Sequence, residues 1–127
     1  MRAMELGSPG ELRARLNSLV LAGRKTATTG LLAEYAEETE GLEFVGERLA
    51  LLSDDGRSVA TLEITGVEQK SFAQVTWDHA LAEGEGDTSL EEWRAGHRRF
   101  WEREGTPVDD DTPLVCLTFR AEATAGG

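Results

Sequence analysis

Leu12, Leu16, Leu19 and Val20 recur at three- and four-residue spacing, which places side chains on one face of an α-helix. Ser8-Pro9-Gly10-Glu11 predicts the start of that helix, with Ser8 as cap, Pro9 in the first turn and Glu11 completing a capping box. Gly23 predicts its end. The segment from Arg24 to Thr29 then reads as a loop, followed by a short helical turn through Leu31, Leu32 and Tyr35. Glu37 to Gly46 is polar and punctuated by glycine, hence a connection. Two strands follow, Arg48–Leu52 and Ser58–Val67. Ser53-Asp54-Asp55-Gly56 joins them, its Asp-Gly step suited to the positive φ of a tight hairpin. Leu62, Ile64 and Val67 give the second strand its apolar side, with a slip in the alternation at Gly66.

Phe72, Val75, Trp77 and Ala80 lead into a carboxylate-rich segment, Glu83-Gly84-Glu85-Gly86-Asp87. Ser89-Leu90-Glu91-Glu92 is a second capping box, opening a helix through about Glu104 that Gly105 and Pro107 stop. Leu90, Trp93, His97, Phe100, Trp101 and Glu104 share one face of it. Leu114 to Phe119 is an almost continuous apolar run, the pattern of a central strand covered on both sides. Ala121 to Gly127 reads as a small-residue tail that frays. The order of elements predicts an α+β fold, a small curved sheet or partly closed barrel with flanking helices. One domain is expected over residues 1–127, with its core from about 15 to 121 and a frayed tail over 122–127.

Charge narrows the options. The 127 residues carry 24 acidic and 13 basic side chains, a net charge of −11. Such a chain repels a long polyanion except at local basic spots: Arg13, Arg15, Arg24 and Lys25, then Arg94, His97, Arg98 and Arg99. A lone Cys116 makes no internal disulfide. No apolar run reaches bilayer length, and Met1 to Glu5 lacks a secretory pattern, so no membrane role and a cytoplasmic location are expected.

The chemistry concentrates in two segments, Ala22-Gly23-Arg24-Lys25-Thr26-Ala27-Thr28 and Glu83 to Asp87. A partly buried lysine near a hydroxyl can activate it as a nucleophile. Otherwise Lys25 is a solvated cation favoured at a helix C-terminus, and Thr26, Thr28 and Thr29 cap the next turn. Glu83, Glu85 and Asp87 repel one another unless Lys25, Arg94 or a metal answers them; alternatively they form an acidic surface loop. His79, His97 and Cys116 match no zinc-site spacing, so no metal or cofactor is expected. Trp77, Trp93 and Trp101 suit the core, although tryptophans can also stack on a base.

Taken together, these segments resemble the ASCH domain, the activating signal cointegrator homology domain of the PUA-like superfamily. The likeness runs through residues 22–28, Val45-Gly46, the stretch from Ala82 to Arg94 with His97 and Phe100, and Val115 to Phe119. It covers about residues 15 to 121. The resemblance implies a small PUA-like β-barrel with flanking helices and a cleft lined by the lysine loop. It also implies RNA binding, or amide hydrolysis of N4-acetylcytidine by a Lys, Thr and Glu that fall on Lys25, Thr28 and Glu85. The Gly-Glu-Gly-Asp run and the Trp-Arg-x-x-His helix set this chain apart from the small amidohydrolases.

The leading expectation is therefore an amidohydrolase for an N-acylated nucleoside, with Lys25, Thr28 and Glu85 catalytic. Arg24, Thr26, Glu83, Asp87, Trp93, Arg94 and His97 are expected to bind substrate. The alternatives are an RNA-binding module, with Arg24, Lys25, Arg94, Arg98 and Arg99 on phosphates, or a ribonuclease using the same cleft. Thr29 beside Thr28 leaves open which hydroxyl acts.

Overall fold

In the computed structural model, which describes residues 1–36 and 40–122, five strands form one mixed sheet in the order β1-β3-β4-β5-β2. The strands are β1 (Arg2–Met4), β2 (Ala27–Leu31), β3 (Arg48–Leu52), β4 (Ser58–Ser71) and β5 (Pro113–Glu122). The helices are α1 (Glu11–Leu21), α2 (Leu32–Tyr35), α3 (Trp77–Glu83) and α4 (Leu90–Arg103). The α+β expectation holds. Closure into a barrel does not, because β1 and β2 remain as edges of an open sheet.

β5 shows why its sequence is apolar throughout. It pairs antiparallel with β4 on one side and β2 on the other. Val115, Leu117 and Phe119 enter one core with Leu16, Val20, Leu49 and Leu62. Leu114 and Cys116 enter a second core with Phe72, Val75, Trp93 and Trp101. Each face of the sheet is thus covered by helix, α1 on one and α3 with α4 on the other. The strand also runs further than expected: Ala121 and Glu122 pair with Leu62 and Thr61, and Glu122 meets Arg48 at 3.0 Å. The remainder of the expected frayed tail lies outside the described residues, as do Glu37, Glu38 and Thr39 of the expected connection.

The β3–β4 hairpin forms at the anticipated Asp-Gly step, with Gly56 at φ 81°. The slip at Gly66 is a register shift, where Ile64 and Gly66 pair with Phe119 and Thr118 and Thr65 is the extra residue. β4 then continues four residues past Val67 to Ser71. β1, too short to show a period, pairs parallel with β3.

The start of α1 corrects the capping expectation. The helix begins at Glu11, its cap is Gly10, and Ser8 does not bond to it. Instead Asp54 of the hairpin accepts from the Gly10 amide at 2.7 Å and meets the buried Arg13 guanidinium at 3.2 Å. A tertiary contact has replaced a local one. Asp54→Ala is expected to cost about 1–2 kcal/mol by urea denaturation, as for loss of a helix cap, while Ser8→Ala leaves stability nearly unchanged. No helix among the described residues is long and apolar enough to cross a membrane.

Candidate active site

Lys25 is not in a loop that leads on through Thr29. Gly23 turns the chain at φ 76°, and strand β2 begins at Ala27. Alternation along an extended backbone therefore aims Lys25, Ala27 and Thr29 to one side, and α3 packs against it. α3 is a helix where the sequence showed only scattered apolar residues; Thr76 caps it, accepting from the His79 amide at 3.3 Å. His79 and Glu83, four residues apart, share its inner face.

Glu83 is the hub. Its side chain is 2% exposed, and four groups converge on its two oxygens. Oε1 lies 3.7 Å from Lys25 Nζ and 3.3 Å from His97 Nε2. Oε2 accepts from the Thr29 hydroxyl at 2.6 Å and lies 3.4 Å from His79 Nε2. Thr29 Oγ1 is also 2.7 Å from that nitrogen, so the Thr29 proton goes to Glu83 and its lone pair receives His79 N–H. Glu85 sits at the edge of the cluster, accepting from Lys25 Nζ at 3.0 Å, with its side chain 21% exposed.

Gly84 brings the two segments this close. It ends α3 in the left-handed conformation, at φ 67°, with its Cα against the Arg24–Lys25 peptide. Thr26 N donates to Ala82 O at 2.7 Å alongside.

His97 is fixed from both sides. Its ring stacks on Trp93 with centroids 3.9 Å apart, and Nδ1 lies 2.9 Å from Trp93 O. A carbonyl only accepts, so Nδ1 carries a proton. Nε2 can then donate to Glu83 only as part of an imidazolium. Burial disfavours that cation, but the hydrogen bond and charge of Glu83 outweigh it and raise the His97 pKa above 6.5. His79 follows the same balance: burial opposes its charge, contacts with Cys116 and Glu83 favour it, and its pKa rises to about 9.

The two carboxylates are driven apart. Burial would push Glu83 up, yet the His79 and His97 hydrogen bonds and the Lys25 charge hold it well below 4.5. For Glu85 burial wins over Lys25, aided by its shared hydrogen bond with Glu83, and the group is raised above 4.5. Paired carboxylates with opposed shifts divide into a fixed anion and a group able to exchange a proton. Asp87 is also raised, chiefly by burial.

A cavity of about 270 Å³ opens onto this cluster. Lys25, Thr28, Glu83, Glu85, Asp87 and His97 line it, so six of the ten anticipated residues meet there. The other four stand elsewhere. Arg24 and Thr26 are exposed, Trp93 is buried behind His97, and Arg94 donates to Ala73 O at 2.9 Å. Thr28 lines the cavity wall, whereas Thr29 is the hydroxyl tied into the cluster. A second cavity of about 450 Å³ adjoins the first, sharing Gly7, Thr28, Thr29, Phe100 and Trp101.

Sequence reasoning missed the contacts that Thr29 and His79 make with Glu83. The i,i+4 spacing of His79 and Glu83 was the available signal for one of them, visible once Thr76 is read as a helix cap. Glu83, Glu85 and His97 also bring ligand atoms within 4.8 Å of one another. The Lys25 ammonium, in contact with both carboxylates, already supplies a cation there.

An open mixed sheet with helices on both faces, and a lysine–carboxylate–histidine cluster at one edge strand, define a small α+β domain with a polar cleft. The chain belongs to the ASCH domain family, whose model matches residues 2–122. It is similar to the solved ASCH domain of Lactobacillus crispatus JV V101, at 31% identity and a TM-score of 0.81, covering 94% of this chain and 78% of that one. A protein of Enterococcus faecalis V583 shows 30% identity and a TM-score of 0.83, over 96% of this chain and 76% of that one. An ASCH protein of Zymomonas mobilis, at 10% identity and a TM-score of 0.55, over 84% of this chain and 63% of that one, shares the fold alone. No curated protein gives a significant match to this chain.

Proposed function

We propose that this protein is a metal-independent amide hydrolase acting on an N-acylated nucleoside of the N4-acetylcytidine type. The observation that carries the reading is the Lys25–Glu85 pair at 3.0 Å on the cavity wall, backed by a buried Glu83 that keeps its charge. Thr28 supplies the hydroxyl nucleophile, since the Thr29 proton and lone pair are committed to Glu83 and His79.

The steps follow from the charges. Glu85, ionised, takes the Thr28 proton through one water in the cavity that both residues line, as the oxygen attacks the carbonyl carbon. The Lys25 ammonium faces the oxyanion that develops and stabilises it in a water-poor wall. The C–N bond breaks, and Glu85 returns the proton to the leaving amine. Water, activated by Glu85 in turn, releases the acyl group from Thr28. Burial raises the Glu85 pKa, which makes the group a better acceptor for the Thr28 proton than an exposed carboxylate. A hydroxylated ring system fits a cleft walled by Phe100 and Trp101.

The RNA-binding reading has less support. Of the five basic residues it would use, Lys25 is buried in the cluster, Arg94 holds Ala73 O, and Arg98 pairs with Asp110 at 3.2 Å. Lys25→Ala, Thr28→Ala and Glu85→Gln are each expected to lower turnover of N4-acetylcytidine at least ~100-fold. Near-normal turnover in Lys25→Ala removes the mechanism; a full loss in Thr29→Val with none in Thr28→Ala would move the nucleophile to Thr29.

A further inference from the structure

The geometry points to a single-anion subsite at the mouth of the first cavity, where Arg15 and Arg103 receive one phosphate of a mononucleotide. This rests on the nucleoside-hydrolase reading for the group that reacts, and adds the group that is recognised.

Two helices build that mouth. α1 contributes Leu12, Arg15 and Leu16, and α4 contributes Gly96, His97, Phe100 and Arg103, at helical spacings that give each helix one wall. Both arginines are exposed at the rim. Arg15 commits one Nη2 donor to the Glu85 carbonyl at 2.8 Å, which orients its guanidinium beside the acidic segment. Neither arginine forms an ion pair with a carboxylate within 4.0 Å among the described residues, in a chain with 24 acidic side chains against 13 basic. The carboxylates on the same walls are Glu83, Glu85 and Asp87; Lys25 and His97 answer them, and Arg15 adds a smaller charge contribution at Asp87. The Arg103 fork and the remaining donors of Arg15 can make paired hydrogen bonds that match the oxygens of a phosphate.

The second cavity limits the site to one anion. Glu5, Glu34, Glu43 and Glu104 line it, and its one basic side chain, Arg2, already lies 3.9 Å from Glu40 and 3.7 Å from Glu47. A further phosphate along a polynucleotide would enter that carboxylate field, against a net charge of −11. The subsite therefore selects a mononucleotide over both the free nucleoside and RNA.

Calorimetric titration of the intact protein at low salt with cytidine, cytidine 5′-monophosphate and a short cytidine oligonucleotide tests this. The monophosphate is expected to bind about tenfold more tightly than cytidine, as for a charge-assisted pair at an exposed rim, and more tightly than the oligonucleotide. Arg103→Gln, at an exposed helix position, should remove that advantage while the circular dichroism spectrum stays native; Arg15→Gln should do the same. Equal affinity for cytidine and its monophosphate overturns the subsite and leaves the nucleoside reading intact. Tighter binding of the oligonucleotide, or no binding of the monophosphate, also overturns it. Parallel hydrolysis assays separate the two ideas, because an Arg103-dependent preference for the monophosphate without amide turnover would sink only the reaction.

Discussion

Glu83→Gln is expected to destabilise the protein by about 3–5 kcal/mol in urea denaturation, the cost of stranding a buried charge when its partner is removed. The Lys25 and Glu83 side chains are 1% and 2% exposed, so solvent does little to soften the loss. The amide keeps the size of the side chain but no longer balances Lys25, His97 and His79. The same substitution should bring the His79 pKa down from about 9 towards its ordinary 6.5, read by NMR titration. A cost below about 1 kcal/mol with His79 unmoved would show that Glu83 is not the hub.

The cluster also fixes how stability depends on pH. His79 binds its proton more tightly folded than unfolded, so its contribution is complete below pH 6.5 and is lost as pH rises towards about 9. His97 has the same sign. Glu83 is depressed, so its contribution is present above pH 4.5 and is lost on acidification. Glu85, raised, contributes below 4.5 and loses that contribution as pH climbs through its folded value. Urea midpoints should therefore fall steadily between pH 6.5 and 9, and the decline should flatten in Glu83→Gln.

Gly84→Ala is the second large effect. A Cβ there would run into the Arg24 carbonyl oxygen and stand 2.6 Å from the carbonyl carbon and 3.1 Å from the Lys25 nitrogen. The residue also needs φ 67°, which costs an L side chain about 1–2 kcal/mol before any clash. The lysine loop and the acidic segment must move apart, and the 3.0 Å Lys25–Glu85 contact is lost with them. Activity should fall at least ~100-fold, comparable to loss of the proton-transfer group itself. Gly86 is the control: its φ is 94°, but nothing lies within 4 Å of an added Cβ. Gly86→Ala should show the conformational cost alone and keep measurable turnover.

What could be read from the chain was whatever local chemistry determines. The Asp55-Gly56 turn, the Ser89 cap and the two-faced apolar run of β5 are each decided within a few residues, and each is present. The start of α1 was legible to within a turn, but the contact that anchors it was not, because Asp54, which accepts from the Gly10 amide, is distant in sequence. β2 was hidden for a related reason: Ala27 to Leu31 lacks an apolar alternation, and its strand geometry is imposed by pairing with β5. Reading that stretch as a loop left the choice between Thr28 and Thr29 open. Once it is a strand, the period of two separates them, Thr29 on the Lys25 side and Thr28 on the other. Three carboxylates in five residues marked the site, but their opposed pKa shifts depend on His97 and Lys25 arriving from two other elements and on His79 one turn back along α3.

The most direct test of the proposed chemistry is hydrolysis of N4-acetylcytidine by the purified protein with chelator present, followed by chromatography. Release of cytidine that is abolished in both Lys25→Ala and Glu85→Gln is the expected result. No cytidine from the wild-type protein, or cytidine released equally by both variants, would contradict the account.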